Sequence, residues 1–290
     1  MAARPIVAGT DGSEESLRAV DWAAREAVLR GAPLRIVAAA EAPPGMISRA
    51  APGEQERVTD VLLGERDQAL AAAAERAVKT AHGVLIDTDQ LTGPVDEAVT
   101  DTGSGALMLV LGSRGRGAFT ALLLGSVSRH VASHASCPVA IIRDEPPRPL
   151  GLVGVGVADL DSCGDALTFA FEEASLRQAS LLALHAWHPA ETEISRAGSA
   201  PAESGAEAAA DAAGHLTGLL DDWRTKYPGV HVSQEVVHGH PGRALVGLSA
   251  RADLVVIGRR ASDSGRPGRG SVRHALLNHA HGPVVTVPSS

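Results

Sequence analysis

The sequence contains few cysteines and few aromatic residues. Its two cysteines form no CxxC pair, which excludes a disulfide framework and fits a reducing compartment. Aromatic residues make up 2% of the chain and hydrophobic residues 44%, so the core must be built mainly from small aliphatic side chains. Side chains of this kind suit helices that pack closely on a parallel sheet.

Long hydrophobic runs and basic stretches are also missing. The longest apolar runs, such as residues 106–111, are far too short to cross a bilayer, and the first residues show no signal-peptide hydrophobic region. The formal net charge is −8, and no basic stretch is interleaved with aromatic residues. We therefore expect a cytoplasmic protein whose main partner is neither nucleic acid nor a membrane.

The chain repeats itself at a spacing of 145 to 147 residues. Residues 125–143 align with residues 270–288 at an offset of 145, and residues 22–41 align with residues 169–188 at an offset of 147. The drift between the two offsets indicates duplicated halves that differ by short deletions. An internal repeat of this length predicts two copies of one domain.

A short proline-rich linker separates the two copies. Residues 143–151 read RDEPPRPLG, and their prolines cannot continue a helix interior or a sheet ladder. Within each copy, short apolar runs alternate with helical patterns, which implies a parallel sheet covered on both faces. We predict two tandem copies of a five-stranded, Rossmann-like α/β sandwich, in residues 1–144 and 151–290. The strands of the first copy are expected at residues 5–9, 34–40, 84–90, 107–112 and 138–142.

The first helix has a clear predicted start. Ser13 is expected to be its N-cap, with Glu14 and Glu15 as an acidic first turn. Apolar residues at helical spacing predict a buried face. Pro/Gly-rich loops are predicted at residues 42–55 and, in the second copy, at residues 188–205. The residues expected on the buried face are Leu17, Val20, Ala24, Ala27 and Val28.

A glycine-rich segment follows the fourth predicted strand. Residues 112–126 read GSRGRGAFTALLLGS, a G-x2-G-x9-G-S pattern. Such glycines either serve tight turning alone or leave backbone N–H groups open to an anion. Gly125 and Ser126 then open a helix whose N-terminal amides point to the same place. Because ligands of open α/β sheets bind beyond the C-terminal ends of the strands, this segment is a candidate phosphate site.

Together with VAGTDGSEES after the first strand and CPVAII as the fifth, this pattern resembles the universal stress protein family, specifically its ATP-binding subgroup. The resemblance spans nearly all of both halves. It implies an adenine nucleotide alpha hydrolase-like fold and a nucleotide-responsive regulator of stress response or dormancy that binds ATP, with Mg²⁺ accompanying it. It also implies self-association through the edge strands that end each copy, as an intrachain pseudo-dimer or a homodimer.

The resemblance assigns roles to residues of the first copy. Asp11 would contact the nucleoside, and the backbone around Ala39 would border the adenine. A carboxylate at a strand end can accept hydrogen bonds from ribose hydroxyls, although an N-cap or turn aspartate is the structural alternative. The predicted nucleotide-binding residues are Gly9, Asp11, Ala39, Gly112, Ser113, Arg114, Gly115, Arg116, Gly117, Ala118, Gly125, Ser126, Val127 and Ser128.

The second copy departs from this pattern at two positions that matter for a ligand. Ala158 stands at the place of Asp11, and Ala261 replaces the second glycine of the loop. One residue is also missing before Gly270. We therefore expect the second copy to have largely lost ATP binding.

Two other functions remain open beside ATP-dependent regulation: a slow ATP hydrolase and a nucleotide-independent interaction module. The chain contains no GxxxxGK[ST] motif, so P-loop phosphate chemistry is excluded. His130 lies just over one turn into the helix that Ser126 opens, but the sequence shows no orienting partner for it, so no catalytic residue is predicted. The 12 histidines show no pattern that would complete a metal site, so no metal ligand is predicted.

Overall fold

The computed structural model describes residues 3–39, 52–115, 124–145, 148–158, 163–187, 201–259 and 271–289. The chain divides into two compact units, Met1–Arg143 and Asp144–Ser290. Both units alternate strands with helices, and the paired strands within each are parallel. The predicted two-domain α/β fold is confirmed.

The first unit carries its helices between parallel strands. Its strands are β1 (Ile6–Thr10), β2 (Leu34–Ala38), β3 (Ile86–Gln90), β4 (Met108–Gly112) and β5 (Val139–Ile142). Its helices are α1 (Glu14–Arg30), α2 (Pro52–Thr80), α3 (Val95–Asp101) and α4 (Ser126–His134), with a 3₁₀ turn at Thr102–Gly105. The strand order is β3-β2-β1-β4-β5.

The strand order places the ends of β1 and β4 side by side. The chain moves outward from β1 to β2 and β3, then returns to the other side of β1 with β4. Every residue of β1, β4 and β5 is buried, so these strands form the centre of the core. A reversal of this kind opens a crevice at the C-terminal ends of the two neighbouring strands. The segments that follow β1 and β4 therefore meet there.

Helix α1 begins and packs largely as predicted. Ser13 is its N-cap and accepts a hydrogen bond from the backbone N–H of Ser16. Val20, Ala24 and Ala27 are buried, but the prediction for Val28 is wrong because its side chain is 50% exposed. Consecutive helical residues differ by about 100° around the axis, so Val28 leaves the buried stripe that contains Ala27. The remaining predicted residue, Leu17, is half-buried.

An ion-pair network fixes α2 against the first half of α1. The guanidinium of Arg76 lies 2.7 Å from the carboxylate of Asp21 and 2.9 Å from that of Glu14. Thr80 donates a hydrogen bond of 2.7 Å to the second oxygen of Asp21. Burial acts to lower the pKa of Arg76, but its hydrogen bonds to Asp21 and Glu14 outweigh burial and leave the pKa raised. The network therefore holds the start of α1 in place.

Both predicted long loops are shorter than expected. Helix α2 begins at Pro52, inside the loop predicted at residues 42–55, and proline is well suited to a first helical turn because it needs no N–H partner there. In the second unit a helix likewise begins at Pro201, inside the loop predicted at residues 188–205. The rest of each predicted loop lies outside the described residues.

The second unit repeats the topology of the first. Its strands are β6 (Leu152–Gly156), β7 (Ser180–Trp187), β8 (Val232–His238), β9 (Leu254–Arg259) and β10 (Val284–Pro288). Its helices are α5 (Gly164–Arg177), α6 (Pro201–Lys226), α7 (Pro241–Ser249) and α8 (Ser271–His279). The strand order within the unit, β10-β9-β6-β7-β8, reproduces that of the first unit. No helix in the described parts of the chain is long and apolar enough to span a membrane.

A buried ion pair recurs at the same place in both units. In α1 the side chain of Glu26 is 1% exposed and lies 2.6 Å from Nε of Arg30. In α5 the side chain of Glu173 is 0% exposed and lies 2.9 Å from Nη1 of Arg177. The offset between the pairs is 147 residues, the offset of the sequence repeat in this region. The duplicated fold has therefore kept a charged pair in each core.

We expect the substitution Arg30→Met to destabilise the first unit by about 3 kcal/mol. The substitution removes a cation from a buried carboxylate, and breaking a buried pair costs far more than the pair contributes in water. Urea denaturation followed by circular dichroism measures the change.

The matched control is Lys79→Met. Lys79 pairs with Glu75 at the same helical spacing, but both side chains are about 70% exposed, so the denaturation midpoint should stay the same. Equal effects of the two substitutions would show that burial does not determine how much an ion pair contributes to the free energy of unfolding.

Candidate functional site

The turn between β1 and α1 is a compact network of hydroxyl and carboxylate groups. Oδ1 of Asp11 accepts hydrogen bonds from the backbone N–H of Ser13 at 3.0 Å and from its hydroxyl at 2.6 Å. Gly12 has a φ of 79°, a conformation that favours glycine. Its N–H donates to Oγ1 of Thr10 at 3.1 Å. The turn therefore holds the Asp11 carboxylate in a defined orientation.

The segment after β4 passes close to this turn. A methyl group on Gly112 would lie 2.8 Å from the carbonyl oxygen of Glu15, so the strand end lies directly against the backbone of α1. A methyl group on Gly115 would overlap Oδ2 of Asp11. The carboxylate predicted to contact a nucleoside thus lies beside the second glycine of the predicted phosphate site.

Helix α4 begins beside the same segment. The N–H of Gly125, the N-cap, donates to the carbonyl oxygen of Ser113 at 2.9 Å. Because glycine has no side chain to cap the helix, the amides of the first turn are not satisfied by the cap residue. The hydroxyl of Ser128 is buried and donates to the carbonyl oxygen of Gly112 at 2.7 Å, so its proton is committed to holding the helix against β4.

Opposite charges lie at the edge of the crevice. Nη2 of Arg114 is 3.7 Å from Oε1 of Glu15, and both side chains are about one-third exposed. The same carboxylate oxygen lies 4.0 Å from Nη2 of Arg18. Arginine near a helix N-terminus adds to the positive potential that favours an anion.

The other predicted site residues divide into four groups. A methyl group on Gly9 would lie 2.5 Å from Cδ2 of Leu111, so this glycine makes room for core packing. Ala39 follows β2 and is half-buried. Ser126 and Val127 lie in the first turn of α4 and are respectively exposed and half-buried. The remaining predicted residues, Arg116, Gly117 and Ala118, lie outside the described residues.

Sequence reasoning missed two features of this region. Thr10 and Ser16 join Ser13 around the turn, and the spacing of hydroxyl residues at positions 10, 13 and 16 could have identified them. Asp96, in the first turn of α3, lies 3.5 Å from Nδ1 of His130. The sequence shows no partner for His130, because Asp96 is distant in the sequence and comes near it only through the contact between α3 and α4.

The positions equivalent to Thr10 and Ser16 carry apolar or weakly polar residues in the second unit. At the offset of 147 residues, Val157 and Cys163 replace Thr10 and Ser16, and both are buried. His185 takes the place of Ala38, and its Nδ1 donates to the carbonyl oxygen of Val157 at 2.8 Å. Residues 159–162 and 260–270, with Ala261 among them, lie outside the described residues.

Comparison with known proteins gives the same assignment over both units. The model of the Universal stress protein family matches residues 2–143 and residues 152–288. The chain belongs to the universal stress protein family. Because the family model matches twice, the protein is a tandem member.

Relatives and solved structures of similar length support this membership. Universal stress protein MT2052 of Mycobacterium tuberculosis (strain CDC 1551 / Oshkosh) is 35% identical over 97% of this chain and 93% of its own. Universal stress protein Rv2005c of M. tuberculosis (strain ATCC 25618 / H37Rv) is 33% identical over 98% and 97%. A universal stress protein from Archaeoglobus fulgidus DSM 4304 has a TM-score of 0.72 at 16% identity, covering 99% of both chains, and shows the shared fold.

The described residues of this universal stress protein include no cluster of side chains suited to a metal ion bound by protein alone. Among the described residues, no group of three or more histidine, cysteine, aspartate or glutamate side chains could hold one. The crevice of the first unit instead combines glycines, a helix N-terminus and an arginine, which are features that favour an anion with several oxygen atoms.

We expect Gly112→Ala to lower the free energy of unfolding by about 1–3 kcal/mol, the usual range for an overpacked site. Its methyl group would meet the backbone of Glu15 at 2.8 Å and that of Ser16 at 3.1 Å, and backbone atoms cannot move aside cheaply. Thermal unfolding measures the loss.

Gly258→Ala is the matched control in the second unit. Gly258 lies near the end of β9 as Gly112 lies at the end of β4, but among the described residues a methyl group there would approach Cβ of Ala166 alone, at 3.6 Å. The control should change the unfolding free energy by less than about 0.5 kcal/mol. A comparable loss in both variants would contradict the difference in packing.

Proposed function

We propose that the first unit binds ATP together with Mg²⁺, and that the protein is a nucleotide-responsive regulator of stress response or dormancy without strong catalytic activity. The observation that carries this proposal is the position of the Asp11 carboxylate against Gly115, beside the start of α4. The Asp11 carboxylate can accept hydrogen bonds from hydroxyl groups, and the amides at the start of α4 suit phosphate. Both thus face one crevice.

The charges in the crevice favour one orientation of a bound nucleotide, with its phosphates and its nucleoside at different places. Phosphates are anionic, so they are favoured at the N-terminus of α4 and near Arg114. They are disfavoured beside Asp11, whose carboxylate would repel them. Asp11 is therefore suited to the uncharged nucleoside, where ribose hydroxyls can donate to it. Bound Mg²⁺ would neutralise part of the phosphate charge.

Gly112 and Gly115 suit a phosphate site because they leave space that any side chain would fill. Side chains at Gly112 and Gly115 would meet the backbone of α1 and the carboxylate of Asp11. Glycine lets the chain pass close to Asp11 while its amides remain accessible to a ligand. Gly125 continues this arrangement at the N-cap of α4.

We propose that the second unit has lost ordinary ATP binding. Ala158 cannot accept a hydrogen bond through its side chain, Asp159 is displaced by one position, and Val157 and Cys163 stand in place of Thr10 and Ser16. The loss of a nucleoside acceptor and of phosphate contacts would remove roughly 3 kcal/mol, which is about a hundredfold in affinity. A cytoplasmic location and self-association through the strands that end each copy remain predictions.

We expect titration of the full chain with Mg-ATP to saturate near one nucleotide per chain. Asp11→Ala should weaken this binding by about tenfold, because the loss of a hydrogen bond between a charged acceptor and a hydroxyl costs about 1.4 kcal/mol or more. Isothermal titration calorimetry gives both the stoichiometry and the affinity.

Asp222→Ala is the control for the loss of one negative charge, since Asp222 is exposed on α6 in the second unit. It should leave the affinity unchanged. Two equivalent tight sites per chain would contradict the proposed asymmetry, and an absence of binding would contradict the proposed function.

Slow ATP hydrolysis is a second candidate function, and the Asp96–His130 pair favours it. The carboxylate of Asp96 lies 3.5 Å from Nδ1 of His130, and the rings of His130 and His134 stack with centroids 4.2 Å apart. A histidine oriented by a carboxylate can act as a general base through its other nitrogen. His130 also lies one turn from the predicted phosphate-binding end of α4.

If this pair activates water, His130→Ala should lower the single-turnover rate of ATP hydrolysis by about 100-fold, the lower end of the range for general-base catalysis. The affinity for ATP should stay the same. His82→Ala, an exposed histidine after α2, should keep the full rate. A wild-type protein that binds ATP but does not hydrolyse it would exclude this second function and leave the first intact.

A further inference from the structure

We infer that Ser13 is a positioning residue that fixes the orientation of the Asp11 carboxylate, with Thr10 and Ser16 as its support. The inference rests on the proposed function, since it concerns the residue expected to contact the nucleoside. It adds a role for the three hydroxyl groups of the β1–α1 turn, those of Thr10, Ser13 and Ser16.

The direction of each hydrogen bond in the turn is set by the acceptors. Oγ of Ser16 lies 2.8 Å from the carbonyl oxygen of Ser13, and a carbonyl can only accept. The single hydroxyl proton of Ser16 is therefore used there. Oγ1 of Thr10 lies 3.0 Å from Oγ of Ser16, so Thr10 must be the donor in that pair.

The same argument fixes the hydroxyl of Ser13. Its Oγ lies 2.6 Å from Oδ1 of Asp11, and an ionised carboxylate only accepts. Ser13 therefore donates to Asp11 and uses a lone pair to accept the N–H of Ser16 at 3.3 Å. Each of the three hydroxyls donates once, and the hydroxyl of Ser13 donates to Asp11.

This arrangement restricts the rotation of the carboxylate. Oδ1 receives both the N–H and the O–H of Ser13, which places Oδ2 on the side of Gly115. Thr10 and Ser16 are each 5% exposed, so water competes little for the hydrogen bond between their hydroxyls. Oδ2 is therefore the oxygen presented to the crevice.

In the second unit the hydroxyls and the carboxylate are replaced together, and the helix begins at Gly164, three positions later than α1 at the repeat offset. At the offset of 147 residues the sequence replaces Thr10, Ser13 and Ser16 with apolar or weakly polar residues, and Asp11 with alanine. Helix α5 nevertheless forms, with Cys163 as its N-cap and no side-chain capping hydrogen bond. The residues at these positions are Val157, Ala158, Leu160 and Cys163.

The test compares three ligands with variants of Ser13 in the full chain. Ser13→Ala should weaken the binding of Mg-ATP and of adenosine by about fivefold, within the range for one hydrogen bond to a charged group. Inorganic tripolyphosphate should bind with unchanged affinity, because Asp11 is not expected to contact phosphate. Ser13→Thr, which keeps the hydroxyl, should restore the wild-type affinities.

A second variant separates positioning from helix capping. Ser13→Gly removes the hydroxyl, but glycine is a tolerable N-cap that costs only a few tenths of a kcal/mol, so this variant should fold and still lose affinity for adenosine. His240→Ala is the matched control, because His240 caps α7 through its side chain. It should lower the melting temperature without changing any of the three affinities.

A double-mutant cycle identifies the route of the effect. If Ser13 acts through Asp11, Ser13→Ala should cause no further loss of adenosine affinity in the Asp11→Ala background. Independent losses, or an equal loss of tripolyphosphate affinity, would overturn the positioning role. If wild-type protein binds ATP and the Ser13→Ala variant binds its ligands with the same affinities, this inference alone is overturned. If wild-type protein binds neither ATP nor adenosine, the proposed function is overturned as well.

Discussion

The close approach of the end of β4 to the first turn of α1 is the constraint on which the candidate site depends. With glycine at position 112, the strand end lies directly against the backbone of Glu15. This approach leads the following segment past the β1–α1 turn, so that Gly115 meets Asp11. It also lets the hydroxyl of Ser128 reach the carbonyl of Gly112, which holds α4 beside the same crevice.

In the second unit that constraint is relaxed. Gly258 is exposed, and a methyl group there would meet no described atom closer than Cβ of Ala166 at 3.6 Å, so no contact in the described residues requires glycine at this position. At the offset of 147 residues the turn after β6 has Ala158 in place of Asp11, with Asp159 displaced by one, and His185 donates to the carbonyl of Val157. The strand order is nevertheless the same, because the buried strands, and not the turn residues, determine it.

The sequence predicts the parts of this structure that depend on local patterns. Ser13 as the N-cap, the parallel α/β arrangement and the repeat can all be derived from spacing and composition. The burial of Val28 is predicted wrongly, because the limits of a buried stripe depend on what packs against the helix. The Asp96–His130 contact and the proximity of Asp11 to Gly115 could not be derived, since both join segments that are distant in the sequence and depend on tertiary packing.

The two units also show that fold and site change under different physical limits. The Glu26–Arg30 pair persists as Glu173–Arg177 although the turn residues have diverged. Substitution of either residue of such an ion pair would leave the other charge buried with one partner fewer. This costs several kcal/mol of folding free energy, so a single substitution within the pair is strongly destabilising. The turn has changed together with the start of its helix, since α5 has no side-chain cap and begins at Gly164, three positions later than α1 at the repeat offset. A duplicated domain can therefore lose a ligand site while its core keeps even its charged residues.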